Sequence, residues 1–103
     1  MATVTLKKNG DVLAAYLEGE IDHHTANLLR ERIDAAITSG SINVLILDFT
    51  AISFMDSSGV GLILGRYRLM TALGGSLLVQ SAPPNIKRML AIAGITCEET
   101  AKV

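Results

Sequence analysis

The chain has 103 residues, half of them hydrophobic, which is enough for one domain (1–103) with a real core. Its net charge is -1, and it carries two Tyr, two Phe and no Trp. Such a chain has neither the electrostatic footprint nor the stacking surface of a nucleic-acid binder.

Thr3 to Leu6 and Val12 to Leu17 are rich in β-formers and flank Asn9-Gly10, a hairpin turn signal because both residues tolerate positive φ. An opening hairpin is predicted, with Gly19-Glu20-Ile21 leaving its second strand. Asp22 is placed to cap a helix running to about Thr38. Ala26, Leu29, Ile33, Ala36 and Ile37 form its apolar face, and Arg30, Glu31, Arg32 and Asp34 its solvated one. Ser39-Gly40 ends it. Asn43 to Phe49 reads as a central strand covered on both faces, because it is almost continuously apolar. A second helix opens at Asp56-Ser57-Ser58-Gly59 and runs to about Ala72, where Gly74-Gly75 breaks it. Ser76 to Gln80 is another strand. Ser81 to Pro84 starts a third helix with Ile86, Met89, Leu90 and Ala93 as its stripe and Gly94 as its stop. Ile95 to Glu98 is a candidate last strand. The order ββαβαβα(β) predicts an α/β fold: a single mixed β-sheet of four to five strands with helices packed against it.

The opening MATVTLKKNG lacks an apolar signal core, so secretion is not expected. No apolar run approaches the ~18 residues of a membrane helix. The single cysteine, Cys97, offers neither a disulfide framework nor a zinc cluster. A cytoplasmic protein without metal or cofactor, touching neither membrane nor nucleic acid, is the expectation.

The start of the second helix is the stretch with chemical promise. Its unpaired N–H groups and positive dipole end suit an anion, so a serine there is well placed to carry a phosphate. Other readings fail on spacing. Gly59 and Gly65 are one residue too far apart for a phosphate loop, and Arg66-Tyr67 stands where Lys and a hydroxyl are needed. A dinucleotide fingerprint would need glycine at Leu64. Met55-Asp56-Ser57-Ser58-Gly59 lacks the first glycine of a hydrolase elbow. Adjacent helical residues point about 100° apart, so at most one of His23 and His24 can face a serine. Neither has the i, i+4 partner that a helical metal site wants.

On a helical wheel Val60, Ile63, Leu64, Tyr67 and Thr71 share the face that packs on the sheet. Ser58, Gly61, Leu62, Gly65 and Leu69 lie opposite, flanked by Arg66 and Arg68. Each mid-helix glycine costs about 0.5–1 kcal/mol relative to alanine. Either close packing within the fold offsets this, or a flat surface lets a partner approach the serine. The leucines favour an exposed interaction patch of Gly61, Leu62, Gly65, Arg66 and Leu69.

GEIDHHTA (Gly19 to Ala26), FMDSSGVGLILGRYR (Phe54 to Arg68) and PPNIKRML (Pro83 to Leu90) resemble the STAS-domain anti-sigma factor antagonists, over nearly the whole chain. DHHTA is most similar to the sporulation type, the antagonists of the anti-sigma-F factor. The resemblance implies a non-enzymatic regulator with a STAS fold. It implies that the unphosphorylated chain, monomeric when free, binds an anti-sigma factor that is also a serine kinase, and so frees a sigma factor. Phosphorylation of the second serine of DSSG, Ser58 in this chain, releases the partner, and a serine phosphatase resets the switch. Asp22, Asp56, Ser57 and Gly59 would surround the phosphosite. From residues alone, Ser57 and Ser58 stay open as acceptor, and Asp22 stays open between a cap and a role beside the acceptor. A general-stress pathway, a small serine hydrolase and a nucleotide-binding domain are the alternatives. The family usually adds a further helix, so the C-terminal helix of this chain is expected to be short or missing.

Overall fold

The computed structural model describes residues 1–95. Its elements are β1 (Ala2–Asn9), β2 (Val12–Ile21), α1 (His23–Gly40), β3 (Val44–Met55), α2 (Ser57–Ala72), β4 (Ser76–Gln80) and α3 (Pro84–Ile92). They form one four-stranded sheet in the order β1-β2-β3-β4. β1 is antiparallel to β2 from Ala2↔Gly19 to Asn9↔Val12, so Gly10 and Asp11 make the turn, and Gly10 takes φ +65°. The β2–β3 and β3–β4 pairs are parallel. The predicted element order holds. The candidate strand at Ile95 to Glu98 lies, beyond Ile95, outside the described residues, as do Cys97 and any C-terminal helix.

Both crossovers step the same way along the sheet. With the right-handed connection that parallel strands take, α1 and α2 fall on one face and run side by side. The core is sealed there by Leu13, Leu17, Leu45, Leu47 and Phe49 below and Leu29, Ile33, Ile63 and Met70 above. β3 alternates accordingly: Leu45, Leu47 and Phe49 are buried, whereas Val44, Ile46 and Asp48 are only half-buried. The expectation that this strand is covered on both faces is therefore corrected. Its polar Asp48 interrupts the apolar run on the uncovered side.

β2 and β3 are both longer than predicted. β2 continues through Gly19 and Glu20 to Ile21, because β3 continues beside it through Thr50 to Met55. The pairing slips twice, between Tyr16 and Glu18 and between Gly19 and Glu20, and each slip adds one residue to β3. Such bulges break the alternation that marks a strand in sequence. α1 also overruns its prediction, ending at Gly40 with Ser41 in the left-handed region at φ 54°. The stripe of α3 is narrower than expected. Ile86 and Leu90 are buried, while Met89 and Ala93 are exposed.

Candidate functional site: the paired helix mouths and the groove between α1 and α2

Ile21 pairs with Met55 at the carboxyl ends of β2 and β3, and each is followed by an aspartate that opens a helix. A backbone bond from Asp56 N–H to the Ile21 carbonyl, 3.2 Å, locks the two helix starts together. Asp22 caps α1 through a reciprocal box. Its carboxylate accepts the Thr25 N–H at 2.9 Å, and its own N–H donates to the Thr25 hydroxyl at 2.9 Å. These bonds hold the Asp22 carboxyl below its ordinary value of 3.8; the Thr25 N–H is the main cause, the Thr25 hydroxyl the next, and His24 adds to them. Asp56 caps α2 by accepting the Ser58 N–H at 2.8 Å. Both aspartates are caps, and both stand at the level of the DSSG serines.

Ser57 is exposed and Ser58 half-buried. Among the described residues no hydrogen bond holds the Ser58 hydroxyl. Gly59 is buried against Met55, where an added Cβ would lie 2.6 Å from the Met55 sulfur. A side chain at this strand-to-helix corner would force the buried Met55 side chain to shift.

Ser58 stands at one end of a groove of about 330 Å3 between α1 and α2. From α2 the groove is lined by Gly61, Leu62, Gly65 and Arg66, and from α1 by His23, Ala26, Asn27 and Arg30. Of the two histidines, His23 alone lines it. No acidic residue does. Added Cβ atoms at Gly61 and Gly65 would meet nothing within 4 Å. Close packing inside the fold is therefore not what these glycines serve.

The helical-wheel expectation needs correction. The buried residues of α2 are Gly59, Leu62, Ile63, Arg66 and Met70. Leu62 is 4% exposed and Arg66 6%, so neither belongs to an exposed patch. Leu69 is half-buried and packs against the core. Tyr67, expected on the sheet, is 40% exposed, and Thr71 is exposed too. The cause is that α2 has two neighbours, the sheet and α1. Its buried arc is wider than one stripe and rotated toward α1. Ser58, Gly61 and Gly65 do share a line, as expected, but that line faces the groove and Leu62 forms its floor.

Arg66 reaches Asp34 of α1, Nε to Oδ1 2.8 Å. The N–H does not aim along that line, so neither atom is hydrogen-bonded and charge alone holds the pair. Burial lowers the Arg66 pKa, Asp34 opposes this, and the like charge of Arg30 adds to it. Asp34 is thus half-buried, not the solvated residue predicted, whereas Arg30, Glu31 and Arg32 are exposed as expected. Sequence reasoning missed the α1 wall of the groove. The signal was there: His23, Ala26, Asn27, Arg30 and Asp34 follow helical i, i+3, i+4 spacing down one stripe.

Among the described residues there is no cluster of three metal-ligating side chains and no helix long and apolar enough to cross a membrane. The STAS domain model matches residues 3–102, and the chain belongs to that family. An anti-sigma F factor antagonist of Paenibacillus polymyxa is 37% identical over 92 residues, covering 89% of this chain and 79% of that protein. One from Lysinibacillus sphaericus is 39% identical over 79 residues, covering 77% and 68%. Among solved structures, the anti-sigma factor antagonist SpoIIAA in its unphosphorylated form superposes with a TM-score of 0.82 at 32% identity, over 96% of this chain and 90% of that one. SpoIIAA of Bacillus in its phosphorylated form gives 0.82 at 31% identity, over 97% and 93%. The protein is thus a STAS domain whose relatives are regulatory proteins, and SpoIIAA shares its ββαβαβα order.

Proposed function

We propose that this protein is an anti-sigma factor antagonist working by partner switching. Unphosphorylated, it binds an anti-sigma factor that is also a serine kinase, and the sigma factor is freed. Phosphorylation of Ser58 releases the partner, and a serine phosphatase restores the starting state. The chain itself catalyses nothing. The observation that carries this reading is the position of Ser58: half-buried at the helix mouth, its hydroxyl unengaged, at the end of a groove that a partner can enter. Ser57 is exposed but outside the groove, which favours Ser58 as the acceptor. Gly61, Leu62, Gly65 and Arg66 form the partner-facing floor in this reading, with Leu69 supporting it from the core side.

A phosphate adds about -1.5 to -2 charges at neutral pH. At a helix N-terminus it can be held locally, so the fold need not change. Equal similarity to a phosphorylated and an unphosphorylated relative supports that economy. Desolvated against a partner the same charge is costly, and each ~1.4 kcal/mol lost weakens binding tenfold. A sigma-B-type pathway is the other reading, but identity to those antagonists is lower, 29% for that of Bacillus subtilis, which favours the sigma-F type. The test is incubation with ATP and a sigma-F-type anti-sigma kinase, read by intact mass. The gain of one phosphate should persist in Ser57→Ala and vanish in Ser58→Ala. An unmodified wild-type chain would overturn the proposal.

A further inference from the structure

The groove asks for an occupant on two separate grounds. Gly61 and Gly65 weaken the middle of α2, and nothing inside the protein needs their missing side chains. The groove gathers Arg30, Arg66 and His23 with no carboxylate in its lining, in a chain whose net charge is -1. The Arg66 side chain is more than nine-tenths buried and lines the groove, with its Nε set against Asp34 at 2.8 Å. Arginine's planar fork fits carboxylates best. Asp34 takes the Nε side of that guanidinium, and among the described residues Arg30 is exposed with no acidic partner.

We infer that the groove between α1 and α2 seats an acidic segment of the docking partner, whose carboxylates meet Arg30 and Arg66 while its backbone lies flat on Gly61 and Gly65. This rests on the partner-switching reading and adds to it the chemistry of the partner's contact. Ser58 and Gly65 are seven residues apart, about 10 Å along the helix. The phosphate and the arginine pair therefore stand at opposite ends of one groove. An acidic segment lying along it would end against the new dianion at Ser58. Arg30, exposed and long, would also be drawn toward that phosphate and away from the partner. Release then follows from charge within a single groove, with no change of fold.

The inference is tested in two arms. In the first, the isotope-labelled protein is titrated with a peptide of alternating Glu and Ala and with its Gln counterpart. The Arg66 and Arg30 Nε–H and the Gly61 and Gly65 amide signals are followed by NMR. Saturable shifts with the Glu peptide alone, weakened about tenfold or more by Arg30→Ala, are expected. Equal shifts with the Gln peptide, no saturation, or a response to inorganic phosphate alone would overturn it. In the second arm, affinity for the kinase is measured for Arg30→Ala, Gly65→Val and the milder Gly65→Ala. Both positions should lose about tenfold, and Arg30→Ala should flatten the salt dependence. If these variants bind as wild type while Ser58 is still phosphorylated, the groove inference falls and the switch stands. If Ser58 is never phosphorylated, the switch falls and the peptide titration still decides the groove.

Discussion

Asp22 and Asp56 occupy equivalent places in two successive strand-to-helix units, each one residue beyond the paired ends Ile21 and Met55. Asp56→Ala should lower stability by about 1 kcal/mol in urea denaturation, the usual worth of a lost cap. Asp22→Ala should also destabilise, because it leaves the Thr25 N–H without its acceptor. An unchanged urea midpoint in both variants would mean that the caps are idle.

The depressed pKa of Asp22 fixes the sign of its pH dependence. A carboxylate favoured by the fold contributes fully above its unfolded pKa, and that contribution is lost as pH falls through the lower folded value. Stability should thus be flat in this respect above about pH 5 and decline below about pH 4. Asp22→Asn should show a shallower acid limb. A carbon-detected titration placing the Asp22 carboxyl at or above 3.8 would contradict stabilisation of its charged form by Thr25.

The glycines of α2 should separate cleanly. Gly61→Ala and Gly65→Ala have open space for the methyl group and should each stabilise the protein by about 0.5–1 kcal/mol. Gly59→Ala should gain less than either, because its Cβ forces the buried Met55 side chain to move. Thermal melts of the three variants decide this, and destabilisation at Gly65 would mean the groove is tighter than described.

Leu62→Glu should unfold the protein, and Leu62→Ala should cost about 2–5 kcal/mol, because Leu62 is part of the core. Ser58→Asp, by contrast, should leave the melting temperature nearly unchanged. If circular dichroism finds Leu62→Glu folded and stable, the burial of that face is wrong.

The Arg66–Asp34 pair predicts a rescue. Asp34→Ala leaves a buried guanidinium without its counter-charge, and should cost about 1–2 kcal/mol. That is less than a fully buried pair would lose, because the Asp34 side chain is 34% exposed. Adding Arg66→Met should recover most of it. Strictly additive losses in this double-mutant cycle would show the two residues to be uncoupled.

How much of the molecule is readable from its sequence depends on where the information sits in the chain. Local signals worked: the two aspartate caps, the glycine breaks and the start and end of α2 needed only neighbours in sequence. The second half of β3 was not readable, since bulges against β2 remove its alternation. The orientation of α2 was not readable either. It is apolar nearly all round, and its angle is set by α1 and by an ion pair between Asp34 and Arg66, residues 32 positions apart. A wheel assumes one neighbour, and this helix has two. The same limit hid Asp34, whose face of α1 looks solvated until α2 is laid beside it.

The two slips between β2 and β3 have a consequence for how the chain can vary. One slip inverts which side chains look inward, and the second restores the phase, so that Ile21 and Met55 both end up facing the core. Loss of a single residue between Thr50 and Ser53 would turn Met55 outward and swing the DSSG corner to the bare side of the sheet. Loss of two would merely shorten the route. Natural or engineered length changes in this stretch should therefore be tolerated only in even steps, a parity rule imposed by pleating.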